Sequence, residues 1–191
     1  NVVRNLLVVD EGDPYNKILV NKSINNIKSR RLFKTVNKTV DVGSSNNLKI
    51  INITLDEQAT GEISAGAGAG TSGQTLSFGI KENNYLGTGV KVNTQFSFSD
   101  TGIQAKLTTN NPNFKNTDRS LSTSVQSSKT DQMSRFGYKT SKTGFSIGTN
   151  FEQYENIYFS PSFSNYFESL KTSATASDAK KKQKGDYFDS N

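Results

Sequence analysis

Two hydrophobic periods divide the chain. In residues 1–57 the apolar positions first follow helical spacing. Val20, Ile24 and Ile27 recur at i, i+4 and i+7, which puts one apolar stripe on a helix running from about Asn16 to Arg31. Glu11-Gly12-Asp13-Pro14 before it reads as a turn, with Gly to reverse the chain and Pro to start it again. The short apolar stretch Val3 to Val9 predicts a further helix. The period then drops to two. Val36, Val40 and Val42 line one face of a strand, and Ile51, Ile53 and Leu55 line one face of the next. Gly43-Ser44-Ser45-Asn46-Asn47 between them is a hairpin loop. Helix, helix, strand, strand describes a small α+β unit, marginal alone at this size.

From Thr60 onward nothing reads as a helix. Val90, Val92, Thr94, Phe96 and Phe98 alternate with Lys91, Asn93, Gln95, Ser97 and Ser99. Similar alternation recurs at Ile103-Ala105-Leu107, Leu121-Thr123-Val125, Phe145-Ile147-Thr149-Phe151 and Ile157-Phe159-Pro161-Phe163. Asp100-Thr101-Gly102, Asn110-Asn111-Pro112-Asn113 and Glu155-Asn156 separate these segments. The first segment is different in kind. Gly61-Glu62-Ile63-Ser64-Ala65-Gly66-Ala67-Gly68-Ala69-Gly70 is almost wholly Gly and Ala in its second half. Gly loses the most entropy on ordering and offers nothing to pack, so this is a poor core strand, and its value would lie in its backbone.

Alternating segments of this length fit a soluble two-sheet sandwich or a transmembrane barrel with a lipid-facing side and a polar lumen. Two features favour the barrel. Aromatic residues gather at segment ends (Phe114, Phe136, Tyr138, Tyr154, Tyr158, Tyr166 and Phe167), as interfacial girdles require. Loop length also alternates. Asn84–Thr88, Asn111–Arg119 and Glu152–Asn156 predict fairly short returns on one side, Ser127–Thr140 and Thr172–Asp186 long ones on the other. Short hairpins at Thr71–Gly73 and Asp100–Gly102 break that pattern.

Composition narrows the chemistry. The chain has 191 residues and neither Cys nor His, which removes disulfides, thiolate metal sites, and the commonest general base and metal ligand. We expect no enzyme, no cofactor and no metal site. Asp10, Glu11 and Asp13, and likewise Asp56 and Glu57, sit at a turn and a strand end, where capping or solvation explains them better than acid–base work. The net charge of +6 is spread evenly, with 9 basic and 6 acidic residues in 1–59 and 14 and 11 in 60–191. Only Lys180-Lys181-Lys182-Gln183-Lys184 forms a run, so no nucleic-acid partner is expected. Gly68-Ala69-Gly70-Thr71-Ser72-Gly73 matches a dinucleotide-binding spacing but leads into an alternating segment, not the helix that would hold a pyrophosphate. The first residues read as mid-element sequence, so we expect a fragment cut at both ends.

Three stretches carry a family resemblance. Residues 11–36, EGDPYNKILVNKSINNIKSRRLFKTV, look like a POTRA repeat. Residues 79–89, GIKENNYLGTG, look like the turn after the second barrel strand of BamA-type outer-membrane assembly factors, in the wider bacterial surface-antigen barrel family. The motif there is Glu82, Asn83, Asn84, Tyr85, Leu86, Gly87, Thr88 and Gly89. Residues 109–114, TNNPNF, are similar to the end of the family's fourth strand.

The resemblance implies a fold class: an α+β POTRA repeat (β-α-α-β-β, first strand missing) over residues 1–58, then the first seven or so strands of an antiparallel transmembrane β-barrel over 59–191. It also implies a function, the insertion of barrel proteins into the bacterial outer membrane. Incoming strands would pair with the edge Gly61–Gly70 by backbone hydrogen bonding. Expected partners are unfolded outer-membrane proteins, periplasmic chaperones and accessory lipoproteins, and outer-membrane lipid and lipopolysaccharide. The expected location is the outer membrane, with the POTRA part in the periplasm. A two-partner secretion or translocation-type transporter is the near alternative, and a soluble β-rich adhesin or glycan-binding module the distant one.

Overall fold

The computed structural model describes residues 2–70 and 73–191. They form two units. One runs up to Thr60 and takes in Leu86–Gly89; the other comprises Gly61–Tyr85 and Val90–Asn191.

In the first unit, helix α1 (Lys17–Ser29) starts at Asn16, whose side chain accepts from the Ile18 and Leu19 amides and so satisfies two donors of the first turn. Its stripe is the predicted one: Val20, Ile24 and Ile27 are buried, and Ile24 and Ile27 pack with Leu6 and Val36. Ser23 on the same face is buried too. Its hydroxyl accepts from the Val8 amide at 2.8 Å and donates to the Leu19 carbonyl at 3.0 Å. Strands β1 (Phe33–Val42) and β2 (Lys49–Glu57) form the expected hairpin, in register from Thr35↔Asp56 to Val42↔Lys49, with a shift between Phe33 and Thr35.

The expected β-α-α-β-β repeat is not formed. Among the described residues this unit holds one α-helix and one two-stranded sheet. The helix expected over Val3–Val9 is a single 3-10 turn, Arg4–Leu6, with no side-chain cap, and the chain is extended again at Leu7. The β-branched Val2, Val3, Val8 and Val9 flank that turn, and an uncapped stretch of this length cannot nucleate a helix. The protein is dominated by antiparallel sheet, and the fold class of a POTRA repeat joined to a barrel is corrected accordingly.

The second unit is one sheet of nine antiparallel strands: β3 (Gly61–Gly70), β4 (Gly73–Tyr85), β5 (Val90–Ser99), β6 (Gly102–Asn111), β7 (Ser120–Gln132), β8 (Tyr138–Tyr154), β9 (Ile157–Phe159), β10 (Ser162–Thr172) and β11 (Gly185–Ser190). The order is β3-β4-β5-β6-β7-β8-β10-β11, with β9 a short addition on β8. Neighbours in sequence are thus neighbours in the sheet, as in an up-and-down barrel.

The loop pattern differs from the expected one. Ser127–Thr140 is mostly ladder. β7 continues to Gln132 and β8 begins at Tyr138, leaving only the short helix α2 (Met133–Phe136) and Gly137 at φ +69°. Ser127, Ser128, Lys129, Thr130 and Asp131 are polar on both faces, so no alternation marks them as strand. The segment 173–184 is a long return, but it contains helix α3 (Asp178–Lys182) and leads into β11, neither of which the hydrophobic pattern signals. The tip of the first hairpin, Thr71 and Ser72, lies outside the described residues.

Candidate functional site

Registers define the two faces of the sheet. Ile63, Ile80, Thr94, Leu107, Val125 and Phe145 form one continuous row across β3–β8. The next row on that side is Ala65, Phe78, Phe96, Ala105, Ser127, Thr143, Phe167 and Phe188. The opposite face carries Ser64, Gly79, Gln95, Lys106, Gln126 and Gly144 in one row. One side is therefore apolar and the other polar. The apolar side is uncovered: Phe78, Ile80, Ile103 and Val125 each keep more than half of their surface exposed. A soluble sandwich would bury such a face against a second sheet. Here it is a contiguous apolar surface of the kind that marks a lipid or protein contact.

The aromatic residues are placed less uniformly than the girdle reading expects. Phe151 and Phe159 meet edge-on at 5.7 Å, with the Arg119 guanidinium 5.1 Å from the Phe151 ring centre, near one end of the apolar side. Tyr166, in contrast, lies mid-strand on the polar side opposite Gly144. A Cβ on Gly144 would sit 2.7 Å from the Tyr166 Cα, and Lys142 lies over the Tyr166 ring at 4.7 Å.

The candidate pairing segment is an edge. Among the described residues β3 pairs with β4 alone, from Gly61↔Glu82 to Gly70↔Gly73, and it ends the sheet. All ten of its residues are exposed, Ile63 by 86%. Alternation places Ile63, Ala65, Ala67 and Ala69 on the apolar side and Glu62, Ser64, Gly66, Gly68 and Gly70 on the polar side. The strand is graded along its length. At its foot Glu62 accepts from Lys81 and from Asn83, each at 3.4 Å. Higher up, the remaining side-chain ties run from hydroxyls to backbone carbonyls: Ser64 to Gly79 at 3.5 Å and Ser77 to Gly66 at 3.4 Å.

The glycines differ in what they do. Gly79 makes room for Ser64: an ideal Cβ there would stand 2.6 Å from the Ser64 hydroxyl. At Gly68 and Gly70 a Cβ would meet nothing within 4 Å. Nothing in the described chain packs against them, so close packing with β4 does not account for glycine at these two positions.

The first half of the turn motif, Glu82–Tyr85, ends β4 beside the foot of this edge, because Gly61 is the register partner of Glu82. The ladder slips between Glu82 and Tyr85, and the Asn84 amide donates to the Glu82 carboxylate at 2.7 Å. In the second half, Leu86, Gly87 and Gly89 all have positive φ (52°, 70° and 73°), which the two glycines adopt freely and Leu86 adopts at a cost. The structure thus brings Glu82–Tyr85 and the start of the edge together at one end of β3–β4, while Ala65 to Gly70 run away from it. The clasp of Glu62 with Lys81 and Asn83 went unnoticed in the sequence. Only the register reveals it, since the partners are far apart along the chain.

The other candidates are structural. The Asp13 carboxylate accepts from the Asp10 amide at 2.8 Å, and Glu11 pairs with Arg4 at 3.0 Å on the surface. Asp56 accepts from the Thr35 hydroxyl. The glycine spacing Gly68–Gly73 is followed by strand β4 and not by a helix. Among the described residues no group of acidic side chains is placed to hold a metal ion.

No family model matches the chain. Its fold is similar to the crystal structure of BamA from Haemophilus ducreyi lacking POTRA domains 1-3, with a TM-score of 0.77 and 22% identity over 90% of this chain. The chain spans 33% of that structure's length. At this identity the likeness establishes the fold, which is that of a portion of a BamA-like barrel protein.

Proposed function

We propose that this chain forms part of an outer-membrane β-barrel, and that the β3 edge pairs with strands of barrel proteins on their way into the membrane. The observation that carries this reading is the combination at β3. Among the described residues the strand ends the sheet, its apolar side carries alanines, and a Cβ at Gly68 or Gly70 would meet nothing. An exposed strand edge is usually blunted by charge, proline or a bulge. Between Ile63 and Gly70 β3 has none of these. Among the described residues the backbone amides and carbonyls on the side of β3 away from β4 have no partner strand, and they would recognise an extended segment with little regard for its side chains.

The role is binding and templating without bond chemistry. The uncovered apolar side of the sheet supports membrane insertion and argues against the soluble adhesin reading. On this reading the turn Glu82–Gly89 would face the periplasm, where unfolded clients, chaperones and accessory lipoproteins would be met.

Disulfide trapping tests the proposal. These 191 residues hold no cysteine, and single cysteines are introduced at Ile63, Ala65, Ala67 and Ala69 in the full protein with any cysteine outside them replaced. Crosslinks to the terminal strand of an arrested barrel substrate are expected along β3 and absent from controls in β7. No crosslink at any β3 position, with the substrate shown to be present, would sink the pairing role.

A further inference from the structure

We propose that the apolar side of the sheet ends, on β7, β8 and β10, in a site for the phosphate of a lipid headgroup, formed by Lys129, Lys139 and Lys171 around the hydroxyls of Ser141 and Ser169. The inference rests on the membrane-barrel reading. The registers place it. Lys129, Ser141 and Ser169 form one row across the three strands, and Asp131, Lys139 and Lys171 form the next. These positions share a side with Val125, Phe145 and Phe167, so the lysines stand on the apolar face itself, beyond its last large apolar residues. Lys129 follows Val125 by four residues, roughly 13 Å along the strand. All three lysines are exposed.

The cluster is short of anions. Asp131 is engaged by Lys139 at 2.8 Å. Lys139 stands directly opposite Lys171, and like charges so placed repel unless an anion lies between them. Asp186 continues the first row beyond Ser169, yet among the described residues it forms no ion pair with Lys129 or Lys171, and neither lysine has a carboxylate partner. The two ends of the sheet also differ in charge. Residues 127–142 and 171–186 carry nine basic and three acidic side chains, whereas residues 81–91, 111–120 and 151–161 carry four of each.

A lipid fits both halves of this surface at once. Its chains lie along Phe145 and Phe167 while its phosphate meets ammonium groups and hydroxyls at the headgroup level, where lysine stems lie along apolar surface and keep the charge at the boundary. A free phosphate or a nucleic acid would use the lysines and leave the adjoining apolar surface bare.

The test uses the full protein in detergent, with bound lipid counted by native mass spectrometry. The probes are phosphatidic acid and the diacylglycerol of the same chains. We expect preferential retention of phosphatidic acid. Lys129→Gln with Lys171→Gln should weaken it at least tenfold while diacylglycerol retention stays the same. Lys91→Gln, on the polar side at the other end, should change neither. Equal retention of the two lipids, or a double variant indistinguishable from the wild type, would overturn the proposal. Complete displacement by millimolar inorganic phosphate would reassign the site to a free anion and overturn it equally. Failure to retain either lipid would strike the membrane reading itself, whereas loss of the phosphate preference alone strikes only this inference.

Discussion

The β3–β4 and β7–β8 ladders of the sheet are built from the same antiparallel pairing and to opposite ends. β7 and β8 pair continuously from Ser120↔Asn150 to Gln132↔Tyr138, and each has a second neighbour on its other side. Side chains reinforce that ladder on both faces. Ser124 and Ser146 are bonded at 2.9 Å on the polar face, Ser127 and Thr143 at 2.9 Å on the apolar one, Tyr138 donates to Gln132 at 2.9 Å, and Lys139 pairs with Asp131. β3 and β4 share ten register pairs, but their side-chain-to-side-chain ties gather at the foot on Glu62, the ties higher up are hydroxyl-to-carbonyl contacts at 3.4–3.5 Å, and β3 has no second neighbour among the described residues. The comparison teaches that backbone pairing alone makes a strand, while cross-strand side chains decide how firmly it is held. β3 keeps the first and lacks much of the second above Ser64.

The contrast can be broken most forcefully on a shared row. Val125 and Ile63 occupy the same row on the apolar side. If that side faces lipid, as proposed, Val125→Arg places a charge in the bilayer from an enclosed strand and is expected to cost about 2–4 kcal/mol. Ile63→Arg, at the free edge, should cost clearly less. Urea unfolding in lipid vesicles measures both, and equal penalties would mean that the two strands lie in equivalent surroundings.

A proline scan comes next in size. Ser124→Pro lies in a strand paired on both sides, where proline removes a ladder bond, and should destabilise the sheet clearly. Across Ala65–Ala69, prolines at alternate positions should leave stability intact, because those amides face away from β4, yet they should abolish the crosslinks to incoming strands. Uniform destabilisation at every position of that scan would show that both sides of β3 are already paired.

Smaller effects distinguish the glycines. Gly79→Ala should destabilise and be rescued by Ser64→Ala, since the clash is with the Ser64 hydroxyl. Gly68→Ala meets nothing and should stabilise the strand by about 0.5–1 kcal/mol by reducing the entropy lost on ordering. If the weak edge is functional, that gain in stability should slow substrate insertion. Ser124→Ala, of similar size and opposite sign, should cost about 1 kcal/mol through one lost hydrogen bond, read from thermal unfolding.

Much of this was legible from periodicity, and what escaped has identifiable causes. The stripe Val20-Ile24-Ile27 located α1, and the alternation of Val90–Ser99 located β5, because burial on one side writes a period into the sequence. Ser127–Asp131 stayed hidden because a strand polar on both faces has no period, and a long loop was expected there. β11 escaped for a related reason: its six residues follow a lysine-rich helix that reads as loop. The helix expected at Val3–Val9 rested on apolar content without a stripe or a cap, and with it the two-helix repeat fell away. For the candidate site, the Gly/Ala composition of β3 was visible at once. That β3 ends the sheet, and that Glu62 is clasped by Lys81 and Asn83, are facts about neighbours, which register alone supplies.

Amide hydrogen exchange of the full protein in a lipid bilayer reads the holding of β3 against that of β7 in one molecule. Amides of Ala65–Gly70 are expected to exchange at least about tenfold faster than those of Ser122–Ser128, with Gly61 to Ser64 intermediate because of the clasp at the foot. Equal protection along both strands would contradict the pairing role, since a firmly held β3 has no edge to offer.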